Sequence, residues 1–98
     1  MKTSELIGPA LDWAVAKCEG VQHPLFGIKP YSTDWAQGGP IIEREGVGIY
    51  VGADNTRWMS AFYGREGEHY GPTPLITAMR CYVASKLGDE VEIPEELT

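Results

Sequence analysis

The chain has 98 residues, 43% hydrophobic and 22% charged, with a formal net charge of −6. That length holds a single domain, and the apolar content, with three Trp, five Tyr and two Phe, excludes a disordered composition. Asp89, Glu90, Glu92, Glu95 and Glu96 carry most of the imbalance, so the rest is near neutral and lacks the basic face that nucleic acid requires.

The opening MKTSELIG has one Lys and no apolar run, which does not fit a secretory leader. Thr3-Ser4-Glu5-Leu6 reads as a separate capped turn, because Pro9 interrupts any helix continuing from it. A first helix is predicted over 9–19, stopped by Gly20. Leu11, Ala14, Val15 and Cys18 form its core stripe at i, i+3, i+4 and i+7, with Trp13 at the edge.

Residues 21–33, with two prolines and a glycine, read as an extended connection. A short helix follows over 40–45, ended by Gly46; an earlier start at Asp34 is disfavoured by Gly38 and Gly39. Val47–Val51 is β-branched and aromatic, Asp54-Asn55 supplies a turn, and 57–63 supplies a second strand. The hairpin is therefore placed at 47–52 and 57–63. Apolar residues fall on both of its faces, which predicts a sheet covered on each side.

GREGEHYGP, residues 64–72, reads as a loop. Thr73 then caps a helix over 74–87 with Pro74 in its first turn and Gly88 closing it. Leu75, Met79, Tyr82 and Val83 are its large apolar stripe, and Ala78, Cys81, Ala84 and Ser85 a small-residue flank. Val91-Glu92-Ile93 is a candidate edge strand. The expected fold is α+β, a small layered α-β-α sandwich in which the two long helices pack a short antiparallel hairpin. The domain spans 1–88, and 89–98 form an acidic tail. Each Gly-Pro step, at 8–9, 39–40 and 71–72, is expected to open a helical segment.

YSTDWAQGGPIIERE, the later Trp58-x-x-Ala61, and YGPTPLITAMRCYVASKLGDEV together resemble the NinX-type proteins of lambdoid phages and prophages. The molecular function of that family is not established. The resemblance implies a gene of the phage nin region and action inside an infected bacterium, and it assigns no catalytic residue. More loosely, the chain is similar to phage domains described as α-β-α sandwiches. Those share the Tyr-Ser-Thr-Asp stretch, a Trp on a strand and a final helix carrying Arg-Cys or Cys-Arg.

Two groups of residues invite a site. In the first, free amides of Gly38 and Gly39 at a helix start make an anion nest, with hydrogen bonds from Asp34 and Gln37 and a stacking wall from Trp35. Turn chemistry explains the same residues without a ligand: Asp34 or Thr33 caps the helix, Trp35 is core and the glycines bend the chain. In the second, Arg57, Trp58, His69, Tyr70 and Arg80 line one cleft of mixed charge; the competing reading is a solvated loop with an exposed ion pair.

No serine sits in a nucleophile-elbow setting, His23 and His69 are far apart in the chain, and a dyad of Cys81 with His69 needs a geometry that sequence leaves open. Cys18 and Cys81 stand in no metal spacing and read as reduced thiols. No cofactor or metal is expected, and no run approaches the roughly 18 apolar residues that span a membrane. The sequence therefore reads as a cytoplasmic, non-enzymatic accessory protein that binds a host or phage protein, with a homodimer expected. A small-molecule, anion or nucleotide module built on the STDWAQGGP loop is the alternative.

Overall fold

A computed structural model describes residues 1–21, 27–52, 57–62 and 67–97. The turn at Asp54-Asn55, His23, Tyr63 and residues 64–66 lie outside the described residues. Among the described residues a 3-10 turn at Thr3–Glu5 is followed by three helices and three strands, α1 (Gly8–Cys18), α2 (Trp35–Glu45), β1 (Val47–Val51), β2 (Trp58–Phe62), β3 (His69–Gly71) and α3 (Pro74–Leu87), and then by a second 3-10 turn at Glu95–Leu97. The fold is α+β, as the sequence predicts.

The sheet is antiparallel in the order β1-β2-β3. Tyr50 faces Met59, which faces Tyr70, and Ile49 faces Ser60, which faces His69. Opposite partners share a face and successive residues alternate, so these two rows lie on opposite sides of the sheet. The Ser60 side packs against α3: Val47, Ser60 and Gly71 are buried. A Cβ at Gly71 would lie 2.6 Å from Thr77 Oγ1, so only glycine admits so close an approach.

α3 is the middle layer. It packs on the sheet, on α1 and on α2, while α1 has no substantial contact with any strand. Accordingly Leu75 through Val83 are buried without a break, and a one-sided stripe understates the helix. Ala10 through Ala16 of α1 are buried in the same continuous manner, including Trp13. The expected cover on both sides of the sheet is corrected: among the described residues no helix crosses the Tyr50–Met59–Tyr70 face.

Thr73 and Asp34 cap as predicted. Thr73 Oγ1 accepts from the Ile76 amide at 3.1 Å, and Asp34 Oδ1 accepts from the Ala36 amide at 3.0 Å. The Asp34 cap starts α2 at Trp35, so the predicted 40–45 helix is half its true length and Gly39-Pro40 lies inside it. Pro40 lacks the N–H that would reach the Ala36 carbonyl, and Ala36 is exposed, so that carbonyl is not shut away from solvent. Only Gly8-Pro9 opens a helix; after Gly71-Pro72 the start is set by Thr73-Pro74.

Two further expectations are corrected. Residues 69–71 of the predicted loop are a strand. Val91 forms no sheet edge: its amide donates to the Met1 carbonyl at 2.9 Å, beside an antiparallel bridge between Lys2 and Glu90.

Candidate functional site

The first predicted group does not form a nest. Gly38 and Gly39 are interior to α2, and the Gly38 amide already donates to the Asp34 carbonyl at 3.0 Å. Gly38 is glycine for packing: a Cβ there would lie 2.4 Å from the Tyr31 carbonyl oxygen and 2.6 Å from Leu75 Cδ1. Gln37 is half-buried in the same helix. Trp35 is not core but 52% exposed. It walls a shallow apolar cleft of about 240 Å³ with Thr33, Pro74 and Ile76, separate from the second group.

The second group does converge, with one exception. Arg57, His69, Tyr70 and Arg80 line an open hollow of about 470 Å³, joined by Ser4 and Glu68. Trp58 does not line it, although it shares the α3 side of the sheet with His69, where it is half-buried. Strand β3 delivers His69 and Tyr70, the second turn of α3 delivers Arg80, and the N-terminal 3-10 turn delivers Ser4.

Arg80 is the buried member, 9% exposed. Its Nε donates to the Leu6 carbonyl at 2.8 Å and its Nη1 to the Tyr70 carbonyl at 2.9 Å. Among the described residues no carboxylate pairs with it. Desolvation by burial lowers its pKa from the usual arginine value. Arg57 lies over the Tyr70 ring, 4.3 Å from its centre, and the Tyr70 hydroxyl donates to Glu68 Oε2 at 2.6 Å.

His69 also borders a second cleft of about 260 Å³ that includes Cys81 and Asp89. Burial lowers the imidazole pKa, partly opposed by Asp89, so His69 is neutral at pH 7. Cys18, the other thiol, is pushed up to about 11 by burial and the neighbouring Glu19, the reverse of what a nucleophile needs. Among the described residues no group of three metal-ligating side chains occurs, and no helix is long and apolar enough to cross a membrane.

A family model described as Bacteriophage P22, NinX matches residues 27–86, a span containing α2, the whole sheet and nearly all of α3. This chain belongs to the NinX family. No curated protein matches it. The function of the NinX family is unknown, so the match assigns no role to a residue. It does enclose every residue of the two candidate groups, while Ser4, the contribution of the N-terminal turn to the hollow, falls outside it.

Sequence reasoning missed Ser4 and Glu68. Ser4 has no local signal, since the N-terminal 3-10 turn is brought to the hollow by its packing on α3 and β3 and by the bond from Arg80 to Leu6, a separation of 74 residues. It also missed two structural polar clusters. The Ser32 amide and hydroxyl both donate to the buried Asp12 Oδ1, at 2.8 and 2.6 Å, fastening the Tyr31–Thr33 turn to α1. Arg44 spans Glu19 and Glu45 on the far side of the molecule.

Proposed function

We propose that this NinX family member is a non-enzymatic accessory protein acting in the cytoplasm of an infected bacterium, where it binds another protein through the outer face of its sheet. The observation that carries this reading is the composition of that face. Tyr50, Met59 and Tyr70 form a row across three strands, with Arg57 stacked at its end and Gly48 and Ala61 beside it.

An antiparallel sheet that faces water on one side ordinarily alternates to polar residues there. Here the uncovered side holds tyrosine, methionine and arginine, the residue types enriched where proteins meet. Tyr50 is 50% exposed and available for burial.

The partner is a protein segment with an apolar face and an acidic flank. Its acidity follows from the local charge: the chain as a whole is at −6, yet the described residues lining the hollow beside this face include two arginines and one glutamate.

A photo-crosslinking residue placed at Tyr50 or Met59, with Glu43 on α2 as control, tests this in infected cells. A discrete heterologous adduct from positions 50 and 59, absent at 43, is expected. An adduct of doubled mass identifies a second copy of the chain as the occupant and overturns the heterologous partner. Equal labelling from all three positions, or none, overturns the surface itself.

A further inference from the structure

We propose that the hollow between β3 and α3 is a carboxylate-binding site organised by Arg80. It adjoins the sheet face discussed above but does not depend on it. A guanidinium carries five N–H donors, and the two carbonyls of Leu6 and Tyr70 take one each from Nε and Nη1. The remaining donors, both on Nη2 and one on Nη1, have no partner among the described residues. Neither Nη atom is sealed inside the protein without a hydrogen bond, a condition met among the described residues by Trp13 Nε1 and Ser60 Oγ. Arg80 therefore presents its unused edge to the solvent of the hollow.

Buried charges are normally paired, because removing a cation from water is costly. Among the described residues Arg80 is held by the Leu6 and Tyr70 carbonyls alone, and no carboxylate there pairs with it. Gly71 belongs to the same arrangement: a Cβ there would lie 3.3 Å from Arg80 Nη1, so glycine keeps the space in which the guanidinium sits. The result is a pre-oriented planar donor edge in a concave, half-screened place, with the Ser4 hydroxyl and the Arg57 cation on the rim.

The charge count selects the ligand. A planar edge with two parallel N–H groups matches a carboxylate. Glu68 lines the same hollow, and its negative charge opposes a phosphate dianion more strongly than a carboxylate monoanion. The class is thus a single carboxylate, from a chain terminus or from an acidic side chain.

Titration of the isotope-labelled protein at constant ionic strength, followed by NMR, tests the site. Sodium acetate is expected to move the Arg80 guanidinium and the Ser4 and Gly71 amide signals saturably, and inorganic phosphate to move them less. A short peptide with a free C-terminus and an amidated peptide with one internal glutamate then separate the two sources, whichever binds more tightly naming the carrier.

Arg80→Met removes both carbonyl bonds and can unfold the chain, so the informative variant is Glu68→Gln at an exposed position. Loss of that like charge is expected to tighten acetate about fivefold. Signals unmoved by acetate and by both peptides reduce Arg80 to a fastener of Leu6 and Tyr70 and overturn the site. Phosphate binding as tight as acetate, or an unchanged affinity in Glu68→Gln, overturns the carboxylate assignment.

Discussion

Ser60 sits at the centre of the middle strand, 0% exposed, on the side facing α3, and its hydroxyl has no hydrogen-bond partner. A buried hydroxyl that gives up water for nothing costs about 1–3 kcal/mol. Ser60→Ala removes that cost while deleting a single atom, so it is expected to stabilise the fold by about 1 kcal/mol. In a domain of this size that is a rise in Tm of about 4–8 °C by calorimetry; a fall in Tm would show that the hydroxyl is bonded after all. Trp13 Nε1 is likewise unpartnered, but Trp13→Phe also opens a cavity in α1, so its sign is not set by the hydrogen bond. The comparison separates the two terms: only at Ser60 is the polar penalty removed without a packing loss.

The glycine pair in α2 makes an opposite argument at the scale of the element. Gly38→Ala drives a methyl into the Tyr31 carbonyl and the Leu75 side chain, so the helix must shift off α3, costing about 1–3 kcal/mol. Gly39→Ala meets nothing closer than Trp35 Cε3 at 3.9 Å, and it restricts the unfolded chain, so it is expected to stabilise by about 0.5–1 kcal/mol. Urea denaturation of the two variants checks the pair; equal effects would mean that Gly38 does not approach Tyr31. Sequence alone weighs both glycines against the helix equally, which is why it starts α2 at Pro40. The caps at Thr73 and Gly88, the strand composition of 47–51 and the Asp34 oxygen were legible because each acts on its immediate neighbours. Strand β3 was not: His69-Tyr70-Gly71 is three residues long and exists because Met59 and Ser60 present a ladder to it. The gathering of Arg57, His69, Tyr70 and Arg80 was legible as a cleft, since β3 and α3 are adjacent in the chain, but that no carboxylate among the described residues pairs with Arg80 depends on every other element and is written in no local pattern.

At the scale of the whole molecule, long-range polar contacts set how the fold responds to acid and to truncation. The folded pKa of His69 lies below its ordinary value, so the unfolded chain binds the extra proton first; stability therefore falls as pH drops through about 6.5 toward the folded pKa. Glu19 and Glu45 are held below the ordinary carboxylate value chiefly by hydrogen bonds from Arg44, so their contribution is present above about 4.5 and is lost as pH falls through their folded pKa values. Thermal melts from pH 8 to pH 3 are expected to show two declines, and His69→Gln is expected to abolish the upper one; a profile flat between pH 7 and 5 in the unaltered chain would contradict the imidazole's burial. The ends of the chain are joined in a different way. The Thr3 amide and hydroxyl donate to the Asp89 and Gly88 carbonyls at 2.8 and 2.6 Å, the Val91 amide donates to Met1, and the Val91 side chain is 6% exposed. Removing residues 89–98 deletes two of those bonds, and with them the bond from the Met1 ammonium to the Val91 carbonyl at 3.0 Å. At about 1 kcal/mol per bond and about 1.5–3 kcal/mol for Val91, the loss is about 4.5–6 kcal/mol. That is a large part of the margin of a domain this small. Because the strap holds the Thr3–Glu5 turn, whose Leu6 carbonyl receives Arg80 Nε, the same truncation is expected to weaken acetate binding in the hollow even at temperatures where the shortened chain remains folded. Charge alone predicts the reverse, since deleting acids favours an anion, so the direction of the change in affinity decides whether positioning of Arg80 or the overall charge governs the site.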